Sequence, residues 1–165
     1  MSIIETIAAA VKPWNELYSK SKGISGTITF VHLGSLLIGG GLAIASDRAA
    51  LRMRRADADE RRRALREFST VHRPVVTALG CMAASGVAMV LADVENFLVS
   101  PLYWTKMGLV VVLLTNGYLV MRTEQRLNVD PAPSNPLWRR LTLGAVTSIM
   151  LWLTTTLLGV FLMSS

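Results

Sequence analysis

Cysteine, histidine and charge are the scarce materials of this 165-residue chain. A single cysteine, Cys81, excludes an internal disulfide, a Cys-x-x-Cys thiol-exchange pair and a cysteine-based structural zinc site. Two histidines, His32 and His72, allow at most one bis-histidine metal site. Charged residues make up 17% of the chain and hydrophobic ones 52%, whereas a soluble domain carries about a quarter charged residues. That balance excludes an ordinary soluble domain, and its apolar content excludes a disordered chain.

What charge there is has a sign and a place. A net charge of +6 and a pI of about 10.1 would suggest a nucleic-acid surface in a soluble protein. All thirteen arginines, however, fall in two stretches, nine from Arg48 to Arg73 and the others at Arg122, Arg126, Arg139 and Arg140. The lysines, Lys12, Lys20, Lys22 and Lys106, lie elsewhere. Segregation of this kind is the positive-inside pattern of membrane proteins, so no nucleic-acid partner is expected.

Four apolar segments surround those stretches, at about 25–46, 74–97, 102–121 and 141–163. Each is long enough for the roughly 20 helical residues that cross a hydrocarbon core. The expected fold is therefore all-α, an integral membrane four-helix bundle over residues 25–163. Arginine-rich connections after the first and third spans belong in the cytoplasm, which puts both termini outside. Pro74 suits the first turn of its span and Pro101 the tight connection before the third. The 47–73 connection is rich in Ala, Leu and Arg, with Asp57/Arg61 and Asp59/Arg63 at i,i+4 spacing, so helices are expected to continue there. Residues 128–136 hold three prolines and read as a loop. Residues 1–22 place Ile3, Ile7, Val11, Trp14 and Tyr18 at helical spacing opposite Glu5, Asn15 and Glu16, the pattern of an N-terminal interfacial amphipathic helix rather than of a signal peptide.

Few residues carry chemistry. His32 lies about 11 Å into the first span when that helix starts near Ser25, and an ionisable group at that depth must face protein or a cavity. Ser35, Gly39, Ala43 and Ser46 continue below it as a stripe of small residues, open to a flat ring or to another helix. His32 is the candidate metal ligand, and packing against a neighbouring helix is its other reading. Lys106 enters the third span near the same depth, either to snorkel outward or to join an outer cluster with Asp93 and Glu95. Met89 and Met107 are candidate second axial ligands, since His with Met is a known haem pair. His72 sits at the other membrane face and reads as an interfacial histidine, too far from His32 to share an iron. Asn116 is expected to hydrogen-bond between helices. Gly80, Ala84, Ala88 and Ala92, and Gly144, Ser148, Thr155 and Gly159, offer small faces for close packing or oligomers.

Several short motifs add a family likeness: Phe30-Val31-His32-Leu33-Gly34, Asp47-Arg48, Ser85-Gly86, Trp104-Thr105-Lys106 and Asn116-Gly117. In this arrangement the chain resembles four-helix bacterial membrane proteins of the CopD-like, small cytochrome b-like and membrane protoporphyrinogen oxidase type. The resemblance implies a place in the bacterial inner membrane, with haem b or copper bound through His32, Lys106 entering the third span beside it, and redox chemistry. Additional histidines of diheme cytochromes are absent. The other function class is a non-catalytic membrane subunit or scaffold that docks partners, as a homo-oligomer or in a larger membrane complex, or binds anionic lipids through its arginine-rich helices.

Overall fold

The computed structural model describes residues 3–53, 56–130, 132 and 136–164, and these contain helices and no strand. Six helices follow one another: α1 (Ile3–Lys20), α2 (Lys22–Arg52), α3 (Ala58–Ala92), α4 (Val94–Val99), α5 (Pro101–Val129) and α6 (Leu137–Ser164). Four of them, α2, α3, α5 and α6, are long and apolar enough to cross a membrane. The shortest of the four has 28 residues, about 42 Å at 1.5 Å per residue, so each exceeds a hydrocarbon core of roughly 30 Å. The excess projects past the apolar segments, mostly at the arginine-rich end.

Local chemistry sets the boundaries. Ser21 caps α2 through Ile24, Asp57 caps α3 through Glu60, and Ser100 caps α5 through Tyr103 with Pro101 in the first turn. Pro74 departs from expectation: it lies inside α3, which begins sixteen residues earlier at Ala58. The second apolar segment and residues 58–73 before it are one helix, because Asp57 caps it and Asp59 and Glu60 provide an acidic first turn well before Pro74. Near the other end the span stops at Ala92, and after Asp93 the chain turns into the short α4. The expected 128–136 loop lies partly outside the described residues, and α5 runs on to Val129.

The four long helices pack in the spatial order α3, α2, α6, α5, with α3 also touching α5. Their contiguous core lies at the arginine-rich end, where Ala50, Ala64, Leu65, Phe68, Leu127, Trp138, Leu141 and Ala145 are all buried. Arg61 is buried with them, its guanidinium 4.8 Å from the Trp138 ring centroid and its Nε donating to the Ala56 carbonyl. At the level of the spans, glycines bring backbones together. A Cβ on Gly39 would stand 2.9 Å from that of Ala78, and one on Gly144 would stand 2.6 Å from Val120 Cγ2. Asn116 donates to the Gly144 carbonyl at 3.0 Å, the interhelical bond expected of it.

Two expected faces are different in the structure. Of the expected small face of α3, Gly80 faces open space and Ala84 is exposed, while Ala88 is half-buried and Ala92 buried; nearer the middle of the helix the buried residues are Ala78 and Ser85 instead. A stretch of small apolar residues looks alike from every side, so the packing partner chooses the face. Helix α1 lies against α3, α4 and α2, with Trp14 Nε1 donating to the Ala88 carbonyl at 2.9 Å and Asn15 to that of Ala92. Asn15, assigned to the polar side, thus faces the bundle, while Ile7 and Leu17 are exposed.

Candidate functional site

Among the described residues, two polar centres occur within the bundle, one toward each end. The first surrounds His32, half-buried on α2. Its Nδ1 lies 3.0 Å from the Met82 carbonyl and 3.1 Å from Ser85 Oγ, both on α3. A carbonyl only accepts, so Nδ1 carries the proton, and in the neutral ring Nε2 keeps its lone pair. Gly86 makes room for the ring, since a Cβ there would lie 3.3 Å from His32 Cε1. The Ser85 hydroxyl also donates to the Cys81 carbonyl at 2.7 Å, which fixes its place beneath the imidazole.

Lys106 approaches the same region from α5. It is half-buried, its charge acts on His32, and its Nζ would lie 3.1 Å from a Cβ on Gly159 of α6. Gly159 therefore makes room for the Lys106 ammonium, whereas Gly144 on the same face packs against Val120 of α5. Asp93 and Glu95 do not join this centre: both are exposed, and the Asp93 carboxylate accepts from Asn96. Helix α3 ends before them, and the turn into α4 points them away. Met89, one turn beyond Ser85, and Met107, next to Lys106, are each half-buried. Of the small-residue stripe, Ser35 is half-buried near the ring, whereas Gly39 is sealed against Ala78 and Gly40 against Trp152. Gly39 thus makes a helix contact instead of lining a slot for a planar ligand.

The second centre was not anticipated as a group. Asp47 on α2, His72 on α3, Glu124 on α5 and Ser148 on α6 converge at the arginine-rich end. Asp47 is 6% exposed and Glu124 4%. His72 Nε2 stands 2.8 Å from Glu124 Oε2, in an ion-pair contact whose N–H direction misses hydrogen-bond alignment. The Asp47 carboxylate accepts from the Ser148 hydroxyl, and its charge acts on Glu124. His72, expected as a solitary interfacial residue, is the third-exposed edge of this cluster. The signal lay in acidic residues within three positions of two span ends, Asp47 after Ser46 and Glu124 after Met121. Charges so placed usually face water, and periodicity does not show that these two turn inward.

Beside this centre, Arg62, Leu65, Arg66, Asn128 and Val129 line a cleft of about 410 Å³ between α3 and α5. Among the described residues, no three His, Cys, Asp or Glu side chains come together as a metal site. No family model matches the chain, and no curated protein or solved structure is similar to it.

Proposed function

We propose that this chain is a multi-pass membrane protein in which His32 is the protein ligand of haem b, serving electron transfer or a related redox reaction. The observation that carries the reading is the Met82 carbonyl on Nδ1, which holds the imidazole in the tautomer whose Nε2 is free to bind iron. His32 has no carboxylate, cysteine or second histidine grouped with it as a metal site among the described residues. A metal at this position would therefore need donors beyond the protein's, as a porphyrin supplies. Bound there, haem supplies one-electron chemistry. Ser85 and Gly86 orient and admit the imidazole ring, and Ser35 lies nearby on the same helix. Lys106 would provide the cation for a propionate, and Met89 or Met107 would be the second protein ligand.

Four arginine-bearing helix ends also support a topology with that end in the cytoplasm and both termini outside, in a bacterial inner membrane. A second reading, a non-catalytic subunit, is favoured by the use of Gly39, Gly40 and Gly144 in packing and by the Arg62/Arg66 cleft, which suits an anionic lipid headgroup. Its partners are then the bilayer and a second copy or a larger complex.

An absorption spectrum of the detergent-purified protein separates the two readings. A Soret band is expected, lost in His32→Ala and retained in His72→Ala. A colourless wild-type protein that takes up no added haem, or equal loss in both variants, overturns the redox reading.

A further inference from the structure

The cluster at the arginine-rich end belongs to neither reading above. Four transmembrane helices each contribute one member, so it exists only in the assembled bundle. Asp47 Oδ2 and Glu124 Oε2 are both inaccessible to solvent and lack a hydrogen bond. Among the described residues, the ion-pair partner of Glu124 is His72, and Asp47 has none. The arginines that surround the centre do not neutralise it. Arg48 on α2, Arg73 on α3, and Arg122 and Arg126 on α5 are exposed, and Arg122 lies over the Tyr118 ring. Arg139 and Arg140 are exposed at the start of α6, two turns before Ser148. Arg61 is held against Trp138.

Two buried carboxylates whose charges act on one another do not both stay ionised: each lost hydration shell and each added negative charge favours keeping a proton. The Ser148 hydroxyl supplies one hydrogen bond to Asp47, which leaves Oδ2 still open to a donor. His72 reaches Glu124 at 2.8 Å from a position about one-third exposed, which makes it the connection between the buried acids and water.

We propose that Asp47 and Glu124 act as a proton-binding pair, one of the two buried carboxyls keeping a proton and exchanging it with the surface through His72. In the exchange step the carboxyl O–H bond of Glu124 breaks as an N–H bond forms at His72 Nε2, and the imidazolium then releases a proton to water. No electron moves.

The test is infrared spectroscopy of the full chain in phosphatidylcholine nanodiscs, which needs no haem and so stands or falls apart from the His32 reading. At neutral pH, where exposed carboxylates are ionised, a protonated-carboxyl C=O band is expected, and it should disappear as the pH is raised. Asp47→Asn with Glu124→Gln should remove the band while preserving shape. In heavy water its isotopic shift should develop more slowly in His72→Gln than in wild type. A wild-type protein without the band overturns the proposal whether or not the variants fold. So does a band that survives the double substitution, or one abolished at fixed pH by sodium, potassium, magnesium or calcium chloride, which would mark a metal-cation site. An unchanged exchange rate in His72→Gln would remove His72 from the path.

Discussion

The two ends of the bundle are made from the same four long helices but held together in different ways. At the arginine-rich end, Leu65, Phe68, Leu127 and Trp138 lie beyond the apolar segments and form a sealed core around Ala50 and Ala64. If the apolar segments lie in a bilayer, water surrounds the helix ends beyond them, so burying apolar area there is favourable. Toward the other end the helix surfaces are apolar and exposed: Phe30 is 74% and Leu37 77% accessible. Lipid tails are as apolar as leucine and give helices no hydrophobic reason to meet. Contact there comes instead from Gly39 against Ala78, Gly40 against Trp152 and side chains donating to carbonyls, as Asn116 does to Gly144 and Trp14 to Ala88. One chain thus carries a water-driven core and a packing-driven bundle in series. The looser end leaves His32 and Lys106 half-buried, and the tighter end encloses Asp47 and Glu124.

The largest effect should come from opening the sealed end. Leu127→Ala removes a fully buried side chain and should cost about 2–5 kcal/mol, read as unfolding of the detergent-solubilised protein by added SDS. Leu37→Ala in the exposed face should change stability little, and comparable losses in the two variants would break the contrast between the ends.

Next in size is a test of the close helix contacts. Gly39→Val forces a branched side chain into Ala78 and should cost about 1–3 kcal/mol. Gly41, two residues on, faces open space, so Gly41→Val should be tolerated. If Gly39→Val is equally mild in the same SDS titration, α2 and α3 are not held by backbone proximity.

A smaller loss is expected for Asn116→Leu, which removes the donor to the Gly144 carbonyl; interhelical bonds of this kind contribute about 0.6 kcal/mol on average. The substitution should also loosen α5 against α6, measured as faster amide exchange around Gly144. Smallest of all is Ser85→Ala. His32 retains the Met82 carbonyl as partner for Nδ1, so stability should fall by no more than about 0.5 kcal/mol, with the imidazole tautomer unchanged in nitrogen-15 NMR. A tautomer switch in that variant would show that Ser85, and not the carbonyl, sets the ring.

Much of this architecture is legible in residue order alone. The four apolar segments, the arginine segregation, Pro101 at the start of α5 and the bonding role of Asn116 need only length, composition and local backbone chemistry. Pro74 misleads because proline is also compatible with a helix interior in a transmembrane context, where neighbouring groups take up the freed carbonyl. The choice of Gly80 and Ala84 as the packing face of α3 fails for another reason. Where nearly every residue is small or apolar, periodicity does not distinguish one side of a helix from another.

The candidate sites divide along the same line. His32 is conspicuous in sequence because it is the only histidine deep in a span, and its depth requires a partner whatever the fold. That the partner is Met82, that Lys106 lies against Gly159, and that Asp93 and Glu95 turn away depend on the relative rotation of α2, α3, α5 and α6. The same is true of Asp47, His72, Glu124 and Ser148, one from each helix and separated by tens of residues. Hydropathy and charge along the chain determined that this protein has four membrane-length helices and a basic end. Only tertiary packing decided which polar groups meet, because the azimuth of an all-round apolar helix is set by the neighbour it fits and not by its own sequence.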